Sequence, residues 1–131
     1  RRISGRLLDR IELRVELLPL SIEELVPRAE GTHTQEPAWR ERVEAVRELV
    51  RARGQTGTNA ELAADRLDHW DPLAGRLRTM LEQANDRAAL SARAIQALRR
   101  VARTLADLDD SEHVAAEHMA RALALRARLD H

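Results

Sequence analysis

One stretch of this chain, and one only, has the period of a β-strand. Residues Ile11-Glu12-Leu13-Arg14-Val15-Glu16-Leu17 alternate strictly between apolar and charged, the pattern of a strand with one wet and one buried face. Pro19 ends the run. A single strand makes no sheet. Its partners therefore lie in a larger molecule of which this sequence is a part, or in a second copy of the chain, because an open strand edge pairs readily.

The remaining periodicity is helical. Ser21 with Glu24 three residues on forms a capping box and predicts a short helix to Leu25. Residues 26–37, with Pro27, Gly31, Thr32, Thr34 and Pro37, read as a loop. Trp39, Val43, Val46 and Val50 share one helical face, which predicts a helix over 38–53 with that face inward. Gly54 stops it. Asn59 is a candidate cap for a short helix over 60–68, and Asp71-Pro72 is a start signal for the next helix, with Asp71 as its cap. Its face is Leu73, Leu77, Met80, Leu81 and Ala84, to about Ala88. Ser91 caps a helix bearing Ala94, Ile95, Leu98, Val101, Ala102 and Leu105, a stripe wide enough for the centre of a bundle. A last helix spans about Ala115–Leu129 and buries Met119, Ala122 and Leu123. The expected fold is mainly α: a helical bundle preceded by one leftover β-strand. Trp39 and Trp70 are the only aromatics, so the core falls to Leu, Val, Ile, Ala and Met.

Composition excludes several chemistries. All 22 basic residues are Arg, which removes a P-loop lysine and a Schiff-base lysine. No Cys is present, so disulfides, zinc thiolates and thiol nucleophiles are out. Twenty-two acidic residues balance the charge to zero, which argues against a dedicated nucleic-acid-binding domain. No apolar run approaches a membrane span, and a cytoplasmic location is the default. The five His residues (33, 69, 113, 118, 131) show no metal-ligand spacing, and no metal site is expected. The Asp and Glu residues read as solvated helix faces.

The arginines carry more. Arg93 falls in the first turn of the Ser91-capped helix, where a cation opposes the helix dipole and where both the helix end and the guanidinium suit a phosphate. Arg100 shares its face; Arg103 and Asp107 make an i, i+4 pair, and a salt-bridged solvent face is the alternative reading of the group. Arg10, after Ser4-Gly5, is by itself only an arginine at a strand start.

These residues also carry a resemblance. Ser4-Gly5-Arg6-Leu7-Leu8-Asp9-Arg10-Ile11-Glu12-Leu13 resembles the S-G-P-L-L-D-R-[IF]-D-L segment of magnesium-chelatase-like AAA+ ATPases of the ComM/YifB family. Leu90-Ser91-Ala92-Arg93-Ala94 with Val101-Ala102-Arg103-Thr104-Leu105-Ala106-Asp107-Leu108 resembles its L-S-x-R-A … V-A-R-T-I-A-D-L segment. Arg42-Val43 with Asn59-Ala60 matches its R-V … N-A spacing, and His118-Met119-Ala120-Arg121-Ala122-Leu123 its H-L-x-E-A-[LI] ending. Arg6 stands where the family has Pro and Glu12 where it has Asp, and Glu30-Gly31-Thr32-His33-Thr34 lacks the family's E-S-S-type run.

The resemblance implies an organisation and a function. Residues 1–27 are the C-terminal end of an AAA+ core and residues 28–131 its helical lid. Arg10 matches the arginine finger, which reaches the γ-phosphate bound by a neighbouring subunit; Arg93 matches the sensor-2 arginine. The implied partners are neighbouring AAA+ subunits in a ring, expected to be a hexamer, with ATP and Mg²⁺ as cofactors of the whole protein and DNA as the substrate of a branch-migration motor. An ATP-dependent metal-chelatase subunit and a non-enzymatic helical interaction domain remain alternatives. No G-x-x-x-x-G-K-[ST] motif occurs in this sequence, so the chain alone is expected to be inactive and to need no cofactor.

Overall fold

The computed structural model describes residues 3–26 and 35–127, with side chains from Pro37 in the second stretch. Its elements are α1 (Gly5–Leu8), α2 (Ile22–Leu25), α3 (Gln35–Ala52), the 3-10 turn η1 (Asn59–Glu61), α4 (Ala64–Trp70), α5 (Gly75–Ala88), α6 (Ala92–Leu108) and α7 (Ala116–Ala127). The mainly α architecture matches the sequence expectation. The boundary near residue 27, most of the loop expected over 26–37, His33 and His131 lie outside the described residues, and residues 35–37 of that loop already belong to α3.

Helix α6 is the hub, packed against η1, α3, α4 and α7, while α5 packs on α7. Its Ala94, Ala97, Leu98, Ala102, Leu105 and Ala106 are buried, and Leu98, Ala102 and Leu105 pack with Leu81 of α5 and Met119 and Ala122 of α7. Leu62 and Leu67 close the η1–α4 side. A core leucine of this kind contributes about 1.5–3 kcal/mol through burial, and the small alanines let the helices approach closely. Local signals set the ends. Ser91 Oγ accepts from the Ala94 N–H at 3.1 Å, capping α6. Ser21 and Glu24 form the capping box that starts α2. Gly54, at φ +80°, turns the chain after α3, a conformation open to glycine.

Four expectations need correction. No strand forms among the described residues: 11–20 are irregular, because the ladder donors and acceptors of a strand need a neighbour that nothing here supplies. Ile11, Leu13, Val15 and Leu17 are exposed, while Arg14, on the expected wet face, is buried. The α3 face is only half covered. Trp39 and Val43 stay exposed and Val46 and Val50 are half-buried, since a groove of about 610 Å³, lined by Val43, Val46, Val50, Thr104 and Leu108, separates α3 from full contact. Asn59 is not a cap: the Thr58 N–H donates to the Glu61 carboxylate at 2.8 Å instead, and Asn59 points inward. Asp71 likewise follows α4 and turns into the interior, leaving α5 to begin at Gly75.

Candidate nucleotide-sensing arginines

Helix α6 carries four arginines, and three are committed. Arg99 donates to the Asp71 carbonyl at 3.2 Å and pairs with Asp68 at 2.7 Å. Arg100 donates to the Leu62 carbonyl at 2.8 Å. Arg103, 2% exposed, reaches Asp71, Asp107 and the carbonyls of Ser111 and Glu112. Arg93 is exposed in the first turn and has no side-chain hydrogen bond or ion pair among the described residues. Its charge opposes the helix dipole, and no carboxylate among the described residues pairs with it, an arrangement that favours an external anion.

Arg10 follows α1 and is likewise exposed and unpaired among the described residues. The segment that bears it is held by polar contacts, for α1 buries no residue. The Asp9 carboxylate accepts from Ser91 Oγ at 3.0 and 3.2 Å and pairs with Arg126 at 2.7 Å. The Arg14 N–H donates to the Leu125 carbonyl at 2.8 Å. The Arg14 guanidinium donates to the carbonyls of Leu8 at 3.0 Å and Arg126 at 2.9 Å, at the C-terminal ends of α1 and α7. A cation is favoured at both ends by the orphan carbonyls and the dipole. Arg14 was invisible to sequence reasoning because both of its helix-end partners are set by tertiary packing.

The Arg103–Asp107 pair is real, yet it lies inside the molecule and not on a solvent face. Asp107 accepts from Arg53 at 2.6 and 2.9 Å, from Asn59 at 2.7 Å and from Arg103 at 3.2 Å. Arg103 also meets Asp71 at 2.8 Å, and Asp71 accepts from the Val114 N–H at 2.8 Å. Two carboxylates thus face two guanidinium groups, and Arg53 stacks on Trp70 at 4.8 Å. Burial by itself raises the Asp107 carboxyl, but hydrogen bonds from Arg53 and Asn59 and the charges of Arg103 and Arg53 outweigh it and hold the group below the usual carboxylate value.

Asp109, Glu117 and His118 come together as a possible ligand set, but both His118 nitrogens and the Asp109 carboxylate are already engaged. His118 Nδ1 accepts from the Ala115 N–H at 2.9 Å, so the neutral ring carries its proton on Nε2 and donates to Asp109 at 3.1 Å. Arg121 holds the same Asp109 oxygen at 2.8 Å. Closing a cation site there requires breaking each of these bonds.

Residues 33–126 match the family described as magnesium chelatase, subunit ChlI C-terminal. The chain belongs to this family. Within the magnesium-chelatase C-terminal domain, the residues shared with the ComM/YifB pattern converge on α6: Arg42 donates to the Leu108 carbonyl at 2.5 and 3.2 Å, and Asn59 binds Asp107. The chain is similar to the competence protein ComM of Haemophilus influenzae, 36% identical over 129 residues, 96% of this chain and 24% of that protein. It is also similar to YifB of Escherichia coli, 32% identical over 126 residues with the same coverage of each. The chain thus spans about a quarter of the length of these curated relatives. No helix among its described residues is long and apolar enough to cross a membrane.

Proposed function

We propose that this chain is the nucleotide-responsive lid of a ring-forming AAA+ ATPase, expected to be a hexamer, with Arg93 as its sensor-2 arginine and Arg10 as an arginine finger toward the neighbouring subunit. The observation that carries the reading is the contrast on α6: Arg99, Arg100 and Arg103 are each tied to protein acceptors, and Arg93 is free among the described residues. Arg10 shares that freedom on a segment fixed beside the α6 N-terminus through Asp9 and Ser91. Free guanidinium donors with fixed backbones suit the spread charge of a γ-phosphoryl group in transfer. The residues present fit the phosphate of ATP but not its Mg²⁺, since in the one candidate ligand set among the described residues His118 and Asp109 are already held by hydrogen bonds and an ion pair. When bound, ATP supplies the phosphoryl group; the chain orients Arg93 and Arg10 toward it.

For the whole protein, the resemblance to ComM supports an ATP-driven DNA-remodelling motor of the branch-migration kind. The family description favours a second reading, a subunit that uses ATP to drive metal insertion. The test is ATP turnover by the full-length protein without DNA, with linear duplex and with branched DNA. Stimulation by branched DNA supports the motor; turnover indifferent to every DNA shifts the reading to the chelatase. Arg10→Ala and Arg93→Ala are each expected to lower turnover by at least ~10³-fold for the finger and less for the sensor. Intact turnover in both variants overturns the assignment.

A further inference from the structure

Asp9 precedes Arg10, and Ser91 stands two residues before Arg93. These two neighbours are bonded to each other across 82 residues of chain, Ser91 Oγ donating to the Asp9 carboxylate at 3.0 Å. We propose that Asp9 is a positioning residue that couples Arg10 to Arg93, so that the two guanidinium groups are presented as one body. The proposal rests on the reading of Arg10 and Arg93 as phosphate-facing groups.

The coupling has no hydrophobic substitute. Among residues 3–13 none is fully buried: Ile3, Leu7, Ile11 and Leu13 are exposed, and Leu8, Asp9 and Glu12 are intermediate. What fixes this segment is polar: Asp9 to Ser91 and Arg126, and Arg14 to the carbonyls of Leu8, Leu125 and Arg126. Charge-assisted hydrogen bonds of this kind are directional, so they fix orientation as well as distance. Among the described residues Asp9 is the one carboxylate paired with Arg126, and Arg14 and Arg126 each keep one buried N–H without a partner (Nε and Nη1). Arg126 therefore depends on that carboxylate, and removing its charge leaves a largely buried guanidinium without its anion. The Ser91 hydroxyl serves twice, accepting from the Ala94 N–H while donating to Asp9. The bond that starts the Arg93 helix thus also locates the Arg10 segment. Displacement of a reacting group by about 1 Å costs on the order of 10²-fold in rate, so a loosened joint is expected to appear in turnover before it appears in ATP affinity.

The experiment uses the full-length protein with Asp9→Asn, Arg126→Gln and Arg93→Ala, singly and with Asp9→Asn combined with Arg93→Ala. Turnover and KM for ATP are measured, together with hydrogen exchange of the Arg14 amide. Coupling predicts that Asp9→Asn and Arg126→Gln each lower kcat by about 10- to 100-fold, leave KM within about twofold, and speed exchange of the Arg14 amide while α6 amides stay protected. It also predicts that Asp9→Asn adds less than about twofold once Arg93 is gone, because coupled residues are non-additive. Full turnover in Asp9→Asn, with turnover lost in Arg10→Ala and Arg93→Ala, overturns the coupling and leaves the phosphate reading standing. An equal loss from Asp9→Asn with and without Arg93 also overturns it, since a merely structural role acts independently. Full turnover in Arg10→Ala and Arg93→Ala overturns the phosphate reading and the coupling with it.

Discussion

Asp107→Ala is the substitution that most severely tests the interior of this domain. The carboxylate is fully enclosed and accepts from Arg53, Asn59 and Arg103 at 2.6–3.2 Å. Arg53 is 21% exposed and relaxes toward water when its partner is lost; Arg103, at 2%, does not. The loss is therefore dominated by one stranded guanidinium left to share Asp71. Removing one partner of a buried ion pair costs about 3–5 kcal/mol, a large share of the ~5–15 kcal/mol that holds a domain together. At roughly 4 °C per kcal/mol for a domain near this size, the thermal midpoint falls by about 12–20 °C. Far-UV circular dichroism of the chain during heating reads it directly. The exposed i, i+4 pair Arg78–Glu82, at 2.8 Å, is the internal control, and Glu82→Gln should leave the midpoint where it was. A midpoint for Asp107→Ala no lower than that of the control refutes the reasoning, because the network then carries no more load than a surface contact.

Further outcomes follow from the same structure. Because the Asp107 carboxyl is held below its ordinary value in the folded state, its contribution is fully present above the usual carboxylate range and is lost as pH falls through the folded value; the urea midpoint should hold steady near neutrality, fall below about pH 4, and fall less steeply in Asp107→Asn. Leu67→Ala, at a leucine 1% exposed, should cost about 2–5 kcal/mol by urea denaturation. Ala89 ends α5 in the left-handed region at φ 45°, so Ala89→Gly should stabilise the fold by about 0.5–1 kcal/mol, and a loss of stability would refute the strain argument. Ser91→Ala removes the α6 cap and should cost about 1 kcal/mol in the same assay.

The helices were legible where the cause is local. The Ser91 cap, the Ser21–Glu24 box and the α6 stripe depend on residues three or four apart, and each appears where the spacing put it. The breadth of the α6 stripe also bears on its charges: a helix covered on most sides buries them too, as Arg99, Arg103 and Asp107 show. Arg53, Asn59 and Asp71 were illegible for the opposite reason, since their partners on α6 lie 54, 48 and 32 residues away and no period links them. Local rules gave Asn59 and Asp71 to helix caps, and long-range ionic demand took both. Residues 11–17 failed as a strand because alternation describes a face and does not supply the neighbour that closes it. Arg10 and Arg93 were legible as arginines of interest through resemblance; their freedom from partners required the fold.

Helix α7 also has a mechanical consequence. Met119 is locked in the core at 1% exposure, and Arg126, seven residues on, holds Asp9 at 2.7 Å. Seven residues of helix are a rigid arm of about 10 Å. A tilt of roughly 5° about the Met119 end swings the tip by ~0.9 Å, enough to carry that contact out of hydrogen-bonding range. The arm works as a lever with a brittle tip: it converts a small rotation of the bundle into the making or breaking of the few polar contacts that hold the Arg10 segment to its end.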